Sequence, residues 1–243
     1  MMKKHLRDTW FHPRYISKKY LHKLLFSIKN YAHGKMLDLG CGLKPYESLF
    51  KDQVNNYIGI DWPAAPGKAK LDIIADALAL PILNDSVDTV LATELIEHLP
   101  DPEKFIAEVS RVLRKNGSFI LSFPFMEALH EEPRDYFRFT HHGIRVILER
   151  NDFTICRILK KGGLAAVLGY FLSQSLYELA NPINEQGLRT NHLVRTTLIL
   201  PLCFIIQFVL YTFDQFIKKS KYTLGYVIVA MPNKTYEIPN SLG

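Results

Sequence analysis

Cysteine is scarce: Cys41, Cys156 and Cys203 are the only three in 243 residues, and no two share the C-x-x-C spacing of a metal site or redox motif. An odd, scattered set excludes a disulfide framework and suits a reducing compartment. The H-E-x-x-H spacing is missing too, around Glu131-Glu132 and His141-His142 alike, so no metal is expected. The first twenty residues are basic but lack the apolar stretch of a secretory signal, so the chain is expected to be cytoplasmic. Charge of one sign is not abundant either, with 30 Lys and Arg against 24 Asp and Glu. That excess favours anionic surfaces, yet the basic residues form no finger, basic helix or RNP pattern, and no nucleic-acid partner is expected. No internal repeat is evident. Apolar residues make up 48% of the chain, which is incompatible with disorder and ample for a buried core.

What is present alternates. Ile16 to Tyr31 places Leu21, Leu24, Leu25 and Ile28 at helical spacing and predicts an amphipathic leading helix. Short apolar runs follow at 36–39, 57–60, 87–92 and 118–123, the first two closed by Gly40 and Asp61. Between the last two, Pro102 to Arg114 predicts a helix with Pro in its first turn and Gly117 soon after its end. Strands alternating with helices mean an α/β fold with a mostly parallel sheet flanked by helices.

The sharpest segment is Leu37-Asp38-Leu39-Gly40-Cys41-Gly42. Glycines directly after a buried strand let the chain turn tightly and let a ligand lie on bare backbone. Asp38 can fix that turn and face a cationic ligand group. About twenty residues on, Asp61 ends the next strand, where an acid can accept ribose hydroxyl protons. Dinucleotide-binding domains share that pair of features, but a G-x-G-x-x-G loop needs glycine where Pro45 stands.

The order LDLGCG at 37–42, GIDW at 59–62, ADALALP at 75–81, DSVDTVLATELIEHL at 85–99 and EVSRVLRKNGSFILSFP at 108–124 resembles the type 11 family of class I S-adenosylmethionine-dependent methyltransferases. The likeness covers roughly residues 30–160. It implies a Rossmann-like sheet of seven strands and S-adenosyl-L-methionine as methyl donor, released as S-adenosyl-L-homocysteine. It implies that Asp38, Gly40, Cys41 and Gly42 hold the methionine part and that Asp61, with Trp62 beside it, holds the ribose. Asp76, Ala77 and Leu78 would meet the adenine, and the backbone near Ala92, Thr93 and Glu94 would line the other side. The family often carries a third glycine two residues after the second, where this chain has Lys44.

The loop after the fourth strand, 124–140, is dense in titratable and aromatic groups and leaves the sheet edge where open α/β folds place ligands. Methyl transfer is an in-line displacement that depends mainly on positioning, with a base needed only if the acceptor must lose a proton. His130 is the candidate base, because imidazole titrates near neutrality. Phe125, Asp135, Tyr136 and Arg138 are candidate acceptor contacts, and the H…P-DYFR-T segment resembles bacterial envelope-glycan members of the family. The competing expectation for Asp135, Tyr136 and Arg138 is a clasp: an ion pair and an aromatic docking the next helix, with Thr140 as its N-cap. Glu97 can face the acceptor, whereas His98, its neighbour on the helix, points elsewhere and bonds locally.

After Gly162 the composition turns apolar. Two helical stretches, 164–179 and 193–216, joined by a polar turn at 181–187, are expected as an insertion before a last strand at 224–230. The expected organisation is a helical lead over 1–33, a cofactor domain over 34–162 and 222–231, and the insertion over 163–221. The second stretch is interrupted by Pro201 and carries a narrow polar stripe, Arg195, Gln207, Asp214 and Lys218. Three readings of the insertion stand open: a span, for which the stretch is short; a seat in one leaflet of an anionic membrane, helped by Lys218, Lys219 and Lys221; or a lid or dimer face. The first two would make the acceptor lipid-linked at the inner face of a membrane, and the third a soluble metabolite. A non-catalytic binding subunit with the same fold is a further alternative.

Overall fold

In the structure, a computed structural model, residues 9–62, 71–179, 195–217 and 219–233 are described. The expected turn at 181–187, the start of the second apolar stretch at 193–194, Lys218 and the first eight residues lie outside them. The chain divides into two compact units: a sheet unit of 26–123, 131–159 and 227–243, and a helical unit of 1–25, 124–130 and 160–226.

The sheet has seven strands: β1 Lys35–Leu39, β2 Asn56–Asp61, β3 Ile73–Ile74, β4 Val87–Thr93, β5 Leu113–Pro124, β6 Phe153–Lys160 and β7 Gly225–Pro232. Their order is β3-β2-β1-β4-β5-β7-β6, with β1–β2, β1–β4, β2–β3 and β4–β5 all parallel. The chain therefore runs from β1 outward to β3, then returns to build β4 and β5 on the other side of β1. This reversal opens a crevice at the strand ends, where such sheets take ligands. Four of the five residues of β1 are buried, Asp38 among them.

Helices cover the sheet. In α3 (Pro102–Val112), Asp101 caps the first turn by accepting from the Lys104 N–H at 2.9 Å, and Phe105, Ile106, Val109 and Val112 form the buried face. The helix is two residues shorter than its pattern predicts. Arg114 to Gly117 instead open β5, which pairs with β4 from Leu113 onward across a register shift between Val87 and Thr89. Thr140 caps α4 (His141–Arg150), accepting from the Gly143 N–H at 3.0 Å as expected. A single turn, α2 (Glu47–Phe50), stands between β1 and β2.

The helical unit contains α1 (Tyr15–Ile28), α5 (Leu164–Leu179) and α6 (Leu200–Asp214). The leading helix ends in a 3-10 turn over Lys29–Tyr31. A π-helical turn over Arg195–Ile199 leads into α6, so Pro201 lies in the first turn of the helix rather than breaking it, where its missing N–H costs nothing. Ile16, Tyr20, Ala166, Val167, Tyr170 and Leu224 form this unit's core.

Of the stripe read as polar on α6, Gln207 and Asp214 are turned inward. Gln207 is fully buried: its side-chain oxygen accepts from the Ile16 N–H at 2.8 Å, and its amide donates to the carbonyls of His12 at 2.9 Å and Trp10 at 3.2 Å. Asp214 accepts from the Tyr20 hydroxyl at 2.6 Å and from the Gly163 and Ala166 N–H groups at 2.9 and 3.2 Å, capping α5 from another helix. The sequence pattern suggests a solvated stripe; the unpaired backbone donors of 16, 163 and 166 explain why it is internal.

Candidate cofactor site

The loop after β1 is shaped by its backbone. Gly40 and Gly42 have φ of +69° and +51°, values that L side chains rarely adopt. The N–H groups of Gly40 and Cys41 both donate to the Ile60 carbonyl, at 2.9 and 3.2 Å, folding the loop over the end of β2. A Cβ at Gly40 would lie 3.0 Å from Leu95 Cδ1, while one at Gly42 would meet nothing within 4 Å. Gly42 thus presents bare backbone to open space.

Asp61, at the end of β2, is locked to that loop. One carboxylate oxygen accepts the Gly42 N–H and the other the Trp62 N–H, each at 2.7 Å. A carboxylate offers about four acceptor positions, so lone pairs remain for a diol. Across the crevice, the Glu94 carboxylate accepts from the Ser122 hydroxyl at 2.8 Å, with the Glu94 backbone at φ +50° and Thr93 half-buried at the end of β4. Asp76 folds its own turn by accepting the Leu78 N–H at 2.8 Å, which fixes Ala77 and Leu78 beside it. The exposed Trp62 ring lies 5.8 Å from the Arg134 guanidinium.

Asp38 is the most telling residue. It is buried within β1; Oδ2 accepts from the Tyr57 hydroxyl at 2.5 Å, and Oδ1 has no hydrogen-bond partner. Burial drives its pKa up to about 7; the Tyr57 bond opposes this, Asp61 adds to it and Lys44 opposes it. An orphaned, buried carboxylate oxygen is costly unless a donor or cation completes it. The amino group of an amino-acid moiety would do so. Burial next to Asp38 likewise pushes the Cys41 thiol up to about 12, which makes it an inert lining residue.

Lys44, at the position where relatives often carry glycine, keeps glycine's conformation, with φ +53°. Its buried side chain forms an ion pair with Asp72, which also accepts the Gly59 N–H at 2.7 Å. The ammonium passes 5.8 Å from the Tyr57 ring centre. Gly59 makes room for this route: a Cβ there would fall 2.4 Å from Lys44 Cε and 2.7 Å from Cys41 Sγ. Tyr57, Asp72 and Gly59 were not singled out in the sequence, because their parts depend on side chains crossing between neighbouring strand ends. Only the unexpected Lys44 hinted at them. Four aspartates, 38, 61, 72 and 76, and one buried lysine give the site an anionic character that fits a cationic ligand.

The clasp expected after β5 is present. Arg138 makes a two-pronged ion pair with Asp135, at 2.5 and 2.6 Å. Tyr136, however, is exposed, with its ring tilted against that of Phe137 at 6.3 Å; its N–H donates to the Glu97 carbonyl at 2.9 Å. The aromatic packing comes instead from Phe137 and Phe139, stacked at 5.2 Å, with Phe123 edge-on to Phe139 at 6.0 Å. The Glu97 side chain is fully buried, 3.7 Å from His98 Nε2, and His98 Nδ1 lies 2.7 Å from the Arg134 carbonyl, a bond to a residue 36 positions away rather than the local one expected.

Phe125 and His130 fall in the helical unit. The Phe125 ring lies 6.0 Å from that of Tyr226. His130 Nδ1 lies 3.3 Å from the Ala128 carbonyl, which can only accept. Beside them Glu127 accepts from the Ser17 hydroxyl at 2.6 Å and pairs with buried Lys161 at 2.9 Å. Burial opposes ionisation of Glu127, but Lys161 and Ser17 outweigh it and hold its pKa below the usual range.

Comparison with known proteins agrees with this geometry. Residues 37–121 match the model of the methyltransferase domain. An uncharacterized methyltransferase of Mycobacterium bovis is 32% identical over 97 residues, covering 36% of this chain and 38% of the relative. The chain thus spans well under half the length of the curated relatives it matches. A SAM dependent methyltransferase from Archaeoglobus fulgidus is similar over 89% of this chain and 94% of its own, with 15% identity and a TM-score of 0.55. The [4+2]-cyclase SpnF is similar over 89% and 81%, with 18% identity and a TM-score of 0.56. The fold is therefore the Rossmann-like methyltransferase fold, and residues 37–121 are similar to a methyltransferase domain. The cyclase is a reminder that the reaction must be argued from the site.

Proposed function

We propose that the chain transfers a methyl group from S-adenosyl-L-methionine to an amphiphilic acceptor, a lipid-linked sugar, glycolipid or prenylated quinone, at the cytoplasmic face of a membrane. The observation that carries the cofactor assignment is the orphaned Oδ1 of buried Asp38 beside the open backbone of Gly42, itself bonded to Asp61. In this reading Asp38 takes the cofactor's ammonium, Asp61 its ribose hydroxyls and the Asp76 turn its adenine edge. The bound cofactor supplies an activated methyl group on a sulfonium, and the chain's own residues have only to orient, shield and, for a protic acceptor, remove a proton.

His130 is proposed for that proton, its ring lying close enough to the Glu127 carboxylate to interact with it electrostatically. The lipid-linked acceptor class is supported by the apolar helices α5 and α6. A reducing, cytoplasmic setting is supported by three free cysteines.

The test is release of S-adenosyl-L-homocysteine from the purified protein supplied with S-adenosyl-L-methionine and fractionated lipid, glycan or small-metabolite extracts. Turnover confined to lipid fractions is the expected result. Turnover with the aqueous metabolite fraction would replace the acceptor class. No turnover with any fraction, despite cofactor binding, would leave a binding subunit rather than an enzyme.

A further inference from the structure

Helix α6 is inverted relative to a soluble amphipathic helix. Gln207 and Asp214 are buried and bonded, Thr212 alone of its clearly polar residues is exposed, and the outer face of the helix and its two flanks is Leu198, Leu202, Ile205, Val209, Phe213 and Phe216 at helical spacing. Val209, Phe213 and Phe216 are 55%, 59% and 76% exposed, so this stripe is an open surface and not a packing seam. Helix α5, in the same unit, exposes Leu164, Leu168, Phe171 and Leu172. A ladder of rings, Phe11 on Phe204 at 5.3 Å and Phe204 on Phe208 at 5.8 Å, borders the stripe. An apolar surface of this kind marks an interaction site.

Charge identifies the partner. Among the described residues the helical unit holds 9 Lys and Arg against 3 Asp and Glu, whereas the sheet unit holds 13 against 18. The basic excess of the described residues therefore belongs to the unit that carries the exposed apolar helices. Lys18, Lys23, Lys219 and Lys221 are exposed within that unit. Apolar stripe, bordering aromatics and flanking lysines are the combination that an anionic bilayer surface attracts.

We propose that the helical unit seats in one leaflet of an anionic membrane, with the Leu198–Phe216 stripe inserted, α6 lying in the membrane plane, and the lysines at the headgroups. This deepens the membrane-acceptor reading above and rests on it for its purpose, though not for its physics. The helical run Thr197–Asp214 is long and apolar enough by length and composition to span. In-plane seating is favoured because α1 lies alongside α6, through Ile16 on Gln207, Tyr20 on Asp214 and Lys23 on Gln215. A span would carry Lys18, Lys19 and Lys23 of α1 into the hydrocarbon with it.

The test is flotation with vesicles of neutral phosphatidylcholine, and of the same lipid with roughly 30% phosphatidylglycerol. The full chain is expected to float with the anionic vesicles, about tenfold less with neutral ones, and to be released by salt at about 0.5 M. V209S/F213S changes only exposed positions; it should lose flotation by about tenfold or more while keeping its circular dichroism and its affinity for S-adenosyl-L-homocysteine. K219E/K221E should weaken binding to anionic vesicles alone. Absence of flotation together with dimers in solution that V209S/F213S dissolves would overturn the proposal in favour of a second copy. Resistance to both salt and alkaline extraction would overturn it in favour of a span. Flotation without turnover on any lipid would leave the seat standing and refute the acceptor reading; turnover on lipid without flotation would do the reverse.

Discussion

Replacing Asp38 by Asn should make the free protein more stable at pH 8 and worse at binding its cofactor. The Asp38 carboxyl is raised from the ordinary 3.8 to about 7, chiefly by burial. An acid whose folded pKa exceeds its unfolded one loses stability as pH rises from the unfolded value to the folded one. About three units at 1.36 kcal/mol each amount to roughly 4 kcal/mol lost between about pH 4 and pH 7. Asn keeps the acceptor for the Tyr57 hydroxyl and never ionises, but its amide places a donor where Oδ1 stood, which costs roughly 1–2 kcal/mol. The net gain expected for D38N over wild type is roughly 2–3 kcal/mol larger at pH 8 than at pH 5. Urea unfolding of both proteins at the two pH values measures that difference, and other titrating groups cancel in the comparison. Calorimetry with S-adenosyl-L-homocysteine gives the other half. Binding to wild type should strengthen about tenfold from pH 6 to pH 8 as the carboxylate forms, whereas D38N should bind weakly and without that slope. A stability difference independent of pH, with wild-type binding flat across the same range, would refute the assignment of Asp38 to a cationic group.

The remaining expectations follow from local geometry. G59A places a methyl group 2.4 Å from Lys44 Cε and 2.7 Å from Cys41 Sγ, and should cost about 1–3 kcal/mol in urea unfolding. The double variant G59A/K44G should recover only part of that loss: it removes the Lys44 chain and places glycine at φ +53°, but leaves the Cys41 Sγ contact and deprives Asp72 of its ion pair. T140A removes the acceptor for the Gly143 N–H and should cost about 1 kcal/mol without altering cofactor affinity, as calorimetry would show.

Much of the sheet unit is legible in the sequence because buried strands announce themselves locally. Runs such as Met36–Leu39 and Tyr57–Ile60, closed by Gly40 and Asp61, need no partner to be recognised. The glycine turn and Asp61 are legible for the same reason, since a backbone bend and a strand-end carboxylate are properties of a few adjacent residues; Asp76 is reached only through the family resemblance. The start of β5 is not, because Arg114, Lys115 and Asn116 are polar and exposed, and only pairing with β4 makes them strand.

The tertiary structure decided which groups meet. Composition alone cannot tell that Lys44 crosses to Asp72 through the space left by Gly59, or that Tyr57 takes one oxygen of Asp38 and leaves the other bare. The same limit governs α6. Periodicity finds its polar stripe but cannot say which way it faces, since that depends on backbone donors almost two hundred positions away in the chain. Local sequence determines conformation through sterics and polarity over a turn or a strand; the direction a polar side chain takes is settled by whichever unpaired group the fold brings to it.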